Sequence, residues 1–308
     1  MTDVELKPQV YKDPRSKEFF DRFHERVRKH EPEPVYEVVR VISVLLALIA
    51  FRARGLGTEN VPNGPVILAP NHASFMDHFF TGAFIRRRVQ FMGKSQLFGS
   101  TLPGWVYSHG GVFPVRRGHH DEEAFISAFE ILGRGGAVVM YCEGGRTRTG
   151  ELAGEAKPGI GRLALQSGVP VVPVAILDSY QVRNWKRLRF PKVTVQLGRP
   201  FAFERIEAPT RERQQQASDF IFARLKELHG ELSARGLGGA ARAVGGGRVR
   251  AAGPAPAERG AEAAAPERGA EAAAPERGAE AALPERGAEA ALPERGAETA
   301  VPERARRV

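Results

Sequence analysis

The chain has 308 residues, with 45 Lys and Arg against 36 Asp and Glu, and a single cysteine. That lone Cys142 excludes an internal disulfide framework and a Cys-rich zinc site, and it fits a reducing compartment. The last 58 residues, from Ala251, hold eleven of the acids, eight of the bases and almost nothing apolar larger than Ala, so they cannot bury a core that offsets ordering entropy. The first 250 residues therefore carry a surplus of twelve positive charges. Such a balance draws an anionic partner: nucleic acid, an anionic membrane surface or a phosphorylated substrate.

The N-terminus is polar for more than thirty residues before its first apolar run, so no secretory signal is expected. Residues 15 to 30 place Phe19, Phe20, Phe23 and Val27 on one side of a basic amphipathic helix. After EPEP, residues 35 to 51 form an apolar stretch interrupted by Glu37 and Arg40. Its uncharged part covers only about half of a roughly 30 Å hydrocarbon core, too little for a span. The pair reads as an in-plane membrane anchor over residues 1–57, or as a helical hairpin packed on the next domain, or both.

From Asn60 short apolar runs alternate with helical stretches. Residues 65–70, 89–93, 111–115, 137–142, 171–176 and 192–198 read as strands, several so continuously apolar that both faces must be buried. DEEAFISAFEILGRG opens with acids and stops at Gly135, KPGIGRLALQSG stops at Gly168, and a closing helix covers residues 211–228. This order predicts an α/β domain over residues 58–232 with helices flanking the sheet. Residues 233–308 read as a disordered Gly-rich linker followed by a nine-residue repeat, whose prolines (Pro266, Pro275, Pro284, Pro293, Pro302) break helix and strand alike.

Three constellations carry chemistry. The first is NHASFMD, residues 71–77, directly after the strand ending at Pro70. On one continuous helix His72 and Asp77 would stand about 140° apart. They can meet if His72 lies in the loop before a helix and Asp77 in its first turn, with Ser74 as N-cap. A neutral imidazole oriented by a carboxylate then suits removal of a proton from an attacking alcohol, with no GxSxG nucleophile required and none present. The alternative is a capping box of Ser74 and Asp77 beside a loop histidine.

The second constellation is YCEGGRTRTG, residues 141–150: Glu143 can hold a hydroxyl, Gly144 and Gly145 allow close backbone approach, and Arg146 and Arg148 suit phosphate, unless the segment is merely a basic Gly-rich turn. The third comprises Lys94, Arg116 and Arg117, an anion pocket only if the fold joins their loops. His119 and His120 read as an exposed turn, and no metal site is expected. The basic residues are not interleaved with aromatic stacking positions, which argues against nucleic acid.

In order, NHASFMD, KSQL with GGVFPVRR, EGGRTR and GVPVVPVAI resemble the four blocks of the glycerolipid acyltransferase family, typified by bacterial lysophosphatidic acid acyltransferases. The resemblance implies a glycerol-3-phosphate acyltransferase-like domain with a mixed sheet. It implies His72 and Asp77 as the catalytic pair, and Lys94, Arg116, Glu143, Gly144, Gly145 and Arg146 around the acceptor's glycerol phosphate. Pro173 falls on the fourth-block proline that shapes the site. The expected reaction moves an acyl group from acyl-CoA or acyl carrier protein to a lysophospholipid hydroxyl. No cofactor or metal is implied, and the place is the cytoplasmic face of the cell membrane, among its lipids. Another lipid acceptor, or a non-catalytic lipid-binding protein, is the alternative. Cys142, Gly145 and Thr147 depart from the family's usual PEGTRS.

Overall fold

The computed structural model describes residues 13–99, 101–117, 121–182 and 190–246, the last stretch with side chains to residue 234. His119, His120 and the repeat tail lie outside the described residues.

Seven strands form one mixed sheet: β1 (Arg54–Leu56), β2 (Val66–Pro70), β3 (Gln90–Lys94), β4 (Val112–Val115), β5 (Ala137–Val139), β6 (Val171–Leu177) and β7 (Thr194–Leu197). Their spatial order is β1-β7-β6-β2-β5-β3-β4, and only the β6–β7 pair is antiparallel. Alternation divides the side chains of β2 between two cores, as its unbroken apolarity requires. Val66 and Leu68 join Phe51, Phe80 and Val174 on one face. Ile67 and Ala69 join Ile131, Leu163 and Ile221 on the other.

Helices α2 (Pro34–Ile49) and α3 (Asp77–Phe84) contribute to the first face; α5 (Glu122–Gly133), α6 (Pro158–Ser167) and α7 (Arg211–Gly246) cover the second. The acidic first turn of α5 and the stop of α6 match the sequence reading. Gly168 ends α6 in the left-handed region at φ 65°, where a Cβ would be strained.

Three features differ from expectation, and the N-terminal helices divide between the readings offered for them. The sheet starts at Arg54, before the boundary expected at residue 58, and α4 (Leu102–His109) was not foreseen. Helix α7 runs to Gly246, through residues read as linker, because each glycine costs only about 1 kcal/mol against Ala and the stretch is otherwise rich in Ala, Leu and Arg. Finally, the two N-terminal helices behave differently. Helix α1 (Glu18–Lys29) buries Phe20, Phe23 and Val27, and ties His24 to Ser127 at 2.9 Å and Arg28 to Glu123 at 2.5 Å. It packs as an ordinary domain helix. Helix α2 buries Tyr36, Ser43 and Ala47 but leaves Val38, Val41, Ile42, Leu45, Leu48 and Ile49 exposed, Ile49 at 76%. Among the described residues no helix is long and apolar enough to cross a membrane.

Candidate active site

The helices that follow β2 and β5 lie on opposite faces of the sheet: α3 packs its Phe80 in the first core, α6 its Ile160 and Leu163 in the second. Between two such strands a crevice opens at their carboxyl ends, the usual ligand position of an open α/β sheet. His72 leaves β2 there and Tyr141 to Thr147 leave β5.

Asn71 ends β2 by pairing with β6 through its side chain: Nδ2 donates to the Ile176 carbonyl at 3.0 Å and Oδ1 accepts from the Ile176 N–H at 2.7 Å. This anchors the loop that carries His72. Asp77 then opens α3 and folds back. Its Oδ2 accepts from His72 Nδ1 at 2.8 Å and from the backbone N–H groups of Ala73 and Ser74 at 2.7 and 2.8 Å. The predicted return of the carboxylate is present, and with it the carboxylate half of the capping box offered as its alternative, the bond from the Ser74 N–H. One oxygen serves both. Ser74 accepts from the Met76 N–H at 3.2 Å instead of capping α3, whose N-cap is Met76.

An ionised carboxylate only accepts, so Nδ1 carries the proton and Nε2 is left as the basic nitrogen. The Asp77 side chain is 0% exposed and that of His72 12%. Burial pushes the imidazole below its ordinary value, Asp77 pulls it back up, and Arg146 and Arg117 push it down. Its midpoint therefore lies below 6.5, and at neutral pH the ring is an unprotonated base.

The loop after β5 grips His72. The Tyr141 ring stacks on the imidazole with centroids 3.9 Å apart and planes at 21°. Glu143 Oε2 accepts from the His72 N–H at 2.6 Å, and its Oε1 from the Ala153 N–H at 2.9 Å. The Thr147 N–H donates to the His72 carbonyl at 2.9 Å. Burial raises the Glu143 carboxyl to about 7, against the pull of its two N–H donors. Gly144 makes the turn at φ 64°, where Lys157 covers it. Cys142 is fully buried and burial pushes its thiol well up, so it offers no nucleophile. Among the described residues no group of three or more His, Cys, Asp or Glu could hold a metal ion.

The site lies inside a stretch, residues 53–177, that matches the family model described as Acyltransferase. That stretch of the chain is similar to acyltransferases. The chain is 30% identical over 130 residues to a chloroplastic 1-acyl-sn-glycerol-3-phosphate acyltransferase of Brassica napus, covering 41% of this chain and 37% of that protein. It is 31% identical over 133 residues to a lyso-ornithine lipid O-acyltransferase of Pseudomonas aeruginosa, covering 43% and 50%. The chain thus spans half or less of the length of either curated relative. The solved 1-acyl-sn-glycerophosphate acyltransferase PlsC of Thermotoga maritima shares the fold, with a TM-score of 0.51 at 23% identity over 70% of this chain and 89% of that one.

Against this family pattern, the expected residues divide. The charges of Arg146 and Arg117 act on both His72 and Lys94, and Lys94 is held below its ordinary value by partial burial, then by those two arginines. Arg117 is among the charges that act on these two groups, and Arg116 is not. The Arg116 N–H donates to Asp121 at 2.7 Å, its Nε lies 4.0 Å from the same carboxylate, and its charge acts on Glu18 and His24. Both arginines lie past the end of β4, Arg117 in a turn. Pro173 is a buried residue of β6, paired with Ala69 and packed on Gly198. Glu143, expected on the acceptor, has an oxygen on His72 and the other on Ala153. Tyr141 carries no local sequence signal of its stacking partner, which lies 69 residues away.

Proposed function

We propose that this protein transfers an acyl group from a thioester of coenzyme A or acyl carrier protein to the free hydroxyl of a lysophosphatidic acid-type acceptor, at the cytoplasmic face of a membrane. The observation that carries the reading is the 2.8 Å bond from His72 Nδ1 to Asp77 Oδ2, which leaves Nε2 basic beside a group of cations. Nε2 accepts the hydroxyl proton as the acceptor oxygen attacks the thioester carbonyl. The tetrahedral intermediate then expels the thiolate, which takes the proton from the imidazolium and leaves as thiol. Lys94, Arg117 and Arg146 would hold the acceptor phosphate, whose double charge suits three cations better than a zwitterionic head group does. The assay is thiol release from an acyl thioester with lysophosphatidic acid and with a lyso-amino lipid as acceptors. Release with neither would overturn the reading; faster release with the amino lipid would reassign the acceptor.

The phosphate group gives a sharper expectation. Arg117→Ala should raise the acceptor KM about 10- to 100-fold with kcat nearly kept, since a hydrogen bond to a charged group contributes about 1.5 to 3 kcal/mol. Arg116→Ala should leave KM within about twofold by the same reasoning. Equal effects of the two in steady-state kinetics would return Arg116 to the site.

Membrane contact is proposed for the exposed stripe of α2, joined by Leu102 and Trp105 of α4, which are 74% and 49% exposed. Beside them an apolar cavity of about 320 Å³ lies between α2, α3 and α4, lined among others by Val39, Phe79, Phe91 and Val106, and it suits an acyl chain. Replacing Leu45 and Ile49 with Glu should weaken binding to phosphatidylglycerol vesicles about tenfold or more, because it removes apolar burial on the order of 2 kcal/mol. Unchanged sedimentation with vesicles would place the contact elsewhere.

A further inference from the structure

Tyr141, Glu143 and Thr147 meet one residue, His72, from three directions. The segment after β5 is extended at its start, so Tyr141 and Glu143, two positions apart, face the same way while Cys142 between them turns into the core. Tyr141 lays its ring along the imidazole at 3.9 Å. Glu143 takes the His72 N–H at 2.6 Å, and the Thr147 N–H reaches the His72 carbonyl at 2.9 Å. Both backbone polar groups of His72 and one face of its ring are thus held by a loop about 70 residues downstream. The second carboxylate oxygen of Glu143 pins Ala153, which fixes the far end of the same loop.

We infer that Tyr141 and Glu143 are positioning residues for the base, which they hold in orientation and, through the ring face, favour in its protonated form. This rests on the reading of His72 as the base, and it moves Glu143 from the acceptor to the catalytic histidine. The aromatic face carries negative charge density, so an imidazolium stacked on it is attracted where a neutral ring is not. Proton uptake during attack is then supported from below by Tyr141 and at Nδ1 by Asp77. The phenol hydroxyl is buried without a hydrogen-bond partner among the described residues, and the ring face is what meets His72. The charged and titratable groups around the ring are Asp77 and His78 from α3, Tyr141, Glu143 and Arg146 from the loop after β5, and Arg117 from the loop after β4.

Three variants of the full chain test this: Tyr141→Phe, Tyr141→Leu and Glu143→Gln. Displacing a catalytic group by about 1 Å costs on the order of 100-fold. Tyr141→Leu and Glu143→Gln should accordingly lower kcat about 10- to 100-fold, with acceptor KM within about twofold. Tyr141→Phe keeps the ring and should stay within about threefold of wild type on the same argument. Histidine-selective NMR supplies a readout independent of turnover: the His72 titration midpoint should shift downward in Tyr141→Leu and hold in Tyr141→Phe. A raised KM with unchanged kcat in Glu143→Gln would return that residue to the acceptor. An unmoved His72 midpoint in Tyr141→Leu would remove the role of the ring. If wild type releases no thiol with any acceptor, the acyltransfer reading fails while the NMR comparison still decides whether Tyr141 tunes His72.

Discussion

His72→Ala should abolish nearly all thiol release, lowering kcat about 10²- to 10⁴-fold, the range general base catalysis contributes. The loss should fall on kcat, because the phosphate would be held by Lys94, Arg117 and Arg146, which the substitution leaves in place. The fold should survive, since the loop keeps Asn71 paired with Ile176 and keeps the backbone bonds of residue 72 to Glu143 and Thr147. A pH–rate profile of the wild type checks the same assignment. With His72 as the proposed base, the active form is the neutral imidazole, and burial holds its midpoint below 6.5. The His72 limb of the profile should therefore lie below pH 6.5, apart from any step near 7 that follows the raised carboxyl of Glu143. A profile that rises only above pH 8, or substantial turnover in His72→Ala with circular dichroism unchanged, would remove His72 from the chemistry.

What could be read in advance was what neighbouring residues decide. The return of Asp77 onto His72 is a contact across five positions, and loop and first-turn geometry foretold it. Helices α5 and α6 carried their own start and stop signals, and β2 and β6 were apolar enough to demand burial on both faces. The elements missed were those whose reason for existing is elsewhere in the chain. The three-residue β1 has no periodicity of its own and exists because β7 pairs with it from Arg54↔Thr194 onward. Helix α4, LPGWVYSH, is short and contains both Pro and Gly, and it is held by packing, with Tyr107 against the first core. The amphipathic pattern of α1 was read correctly, but amphipathicity alone does not name the apolar partner: α1 found the domain core, and α2 kept an outward face. Tyr141 and Glu143 were legible as residue types but not as partners of His72.

Asp77→Asn should lower kcat about 10²- to 10⁴-fold while leaving acceptor KM within about twofold. The carboxylate has two separable duties. One is structural: Oδ2 takes the N–H groups of Ala73 and Ser74 and so shapes the turn into α3. The other is electrostatic: it receives the Nδ1–H and offsets the positive charge that appears on the ring. An asparagine whose amide oxygen faces the turn preserves the first duty and loses the charge needed for the second. Its NH₂ then occupies the place of Oδ1, which is buried without a hydrogen-bond partner among the described residues, and a buried unsatisfied donor costs about 1 to 3 kcal/mol. The opposite orientation aims the NH₂ at three N–H donors and is worse. Asp77→Asn should therefore unfold at lower temperature than wild type yet remain folded at 25 °C, with its activity lost well beyond what that destabilisation explains. Asp77→Ala, which leaves both turn N–H groups without their acceptor, should be the less stable of the two. If Asp77→Asn keeps wild-type kcat while its melting temperature falls, the carboxylate is a turn residue only and the imidazole works without it.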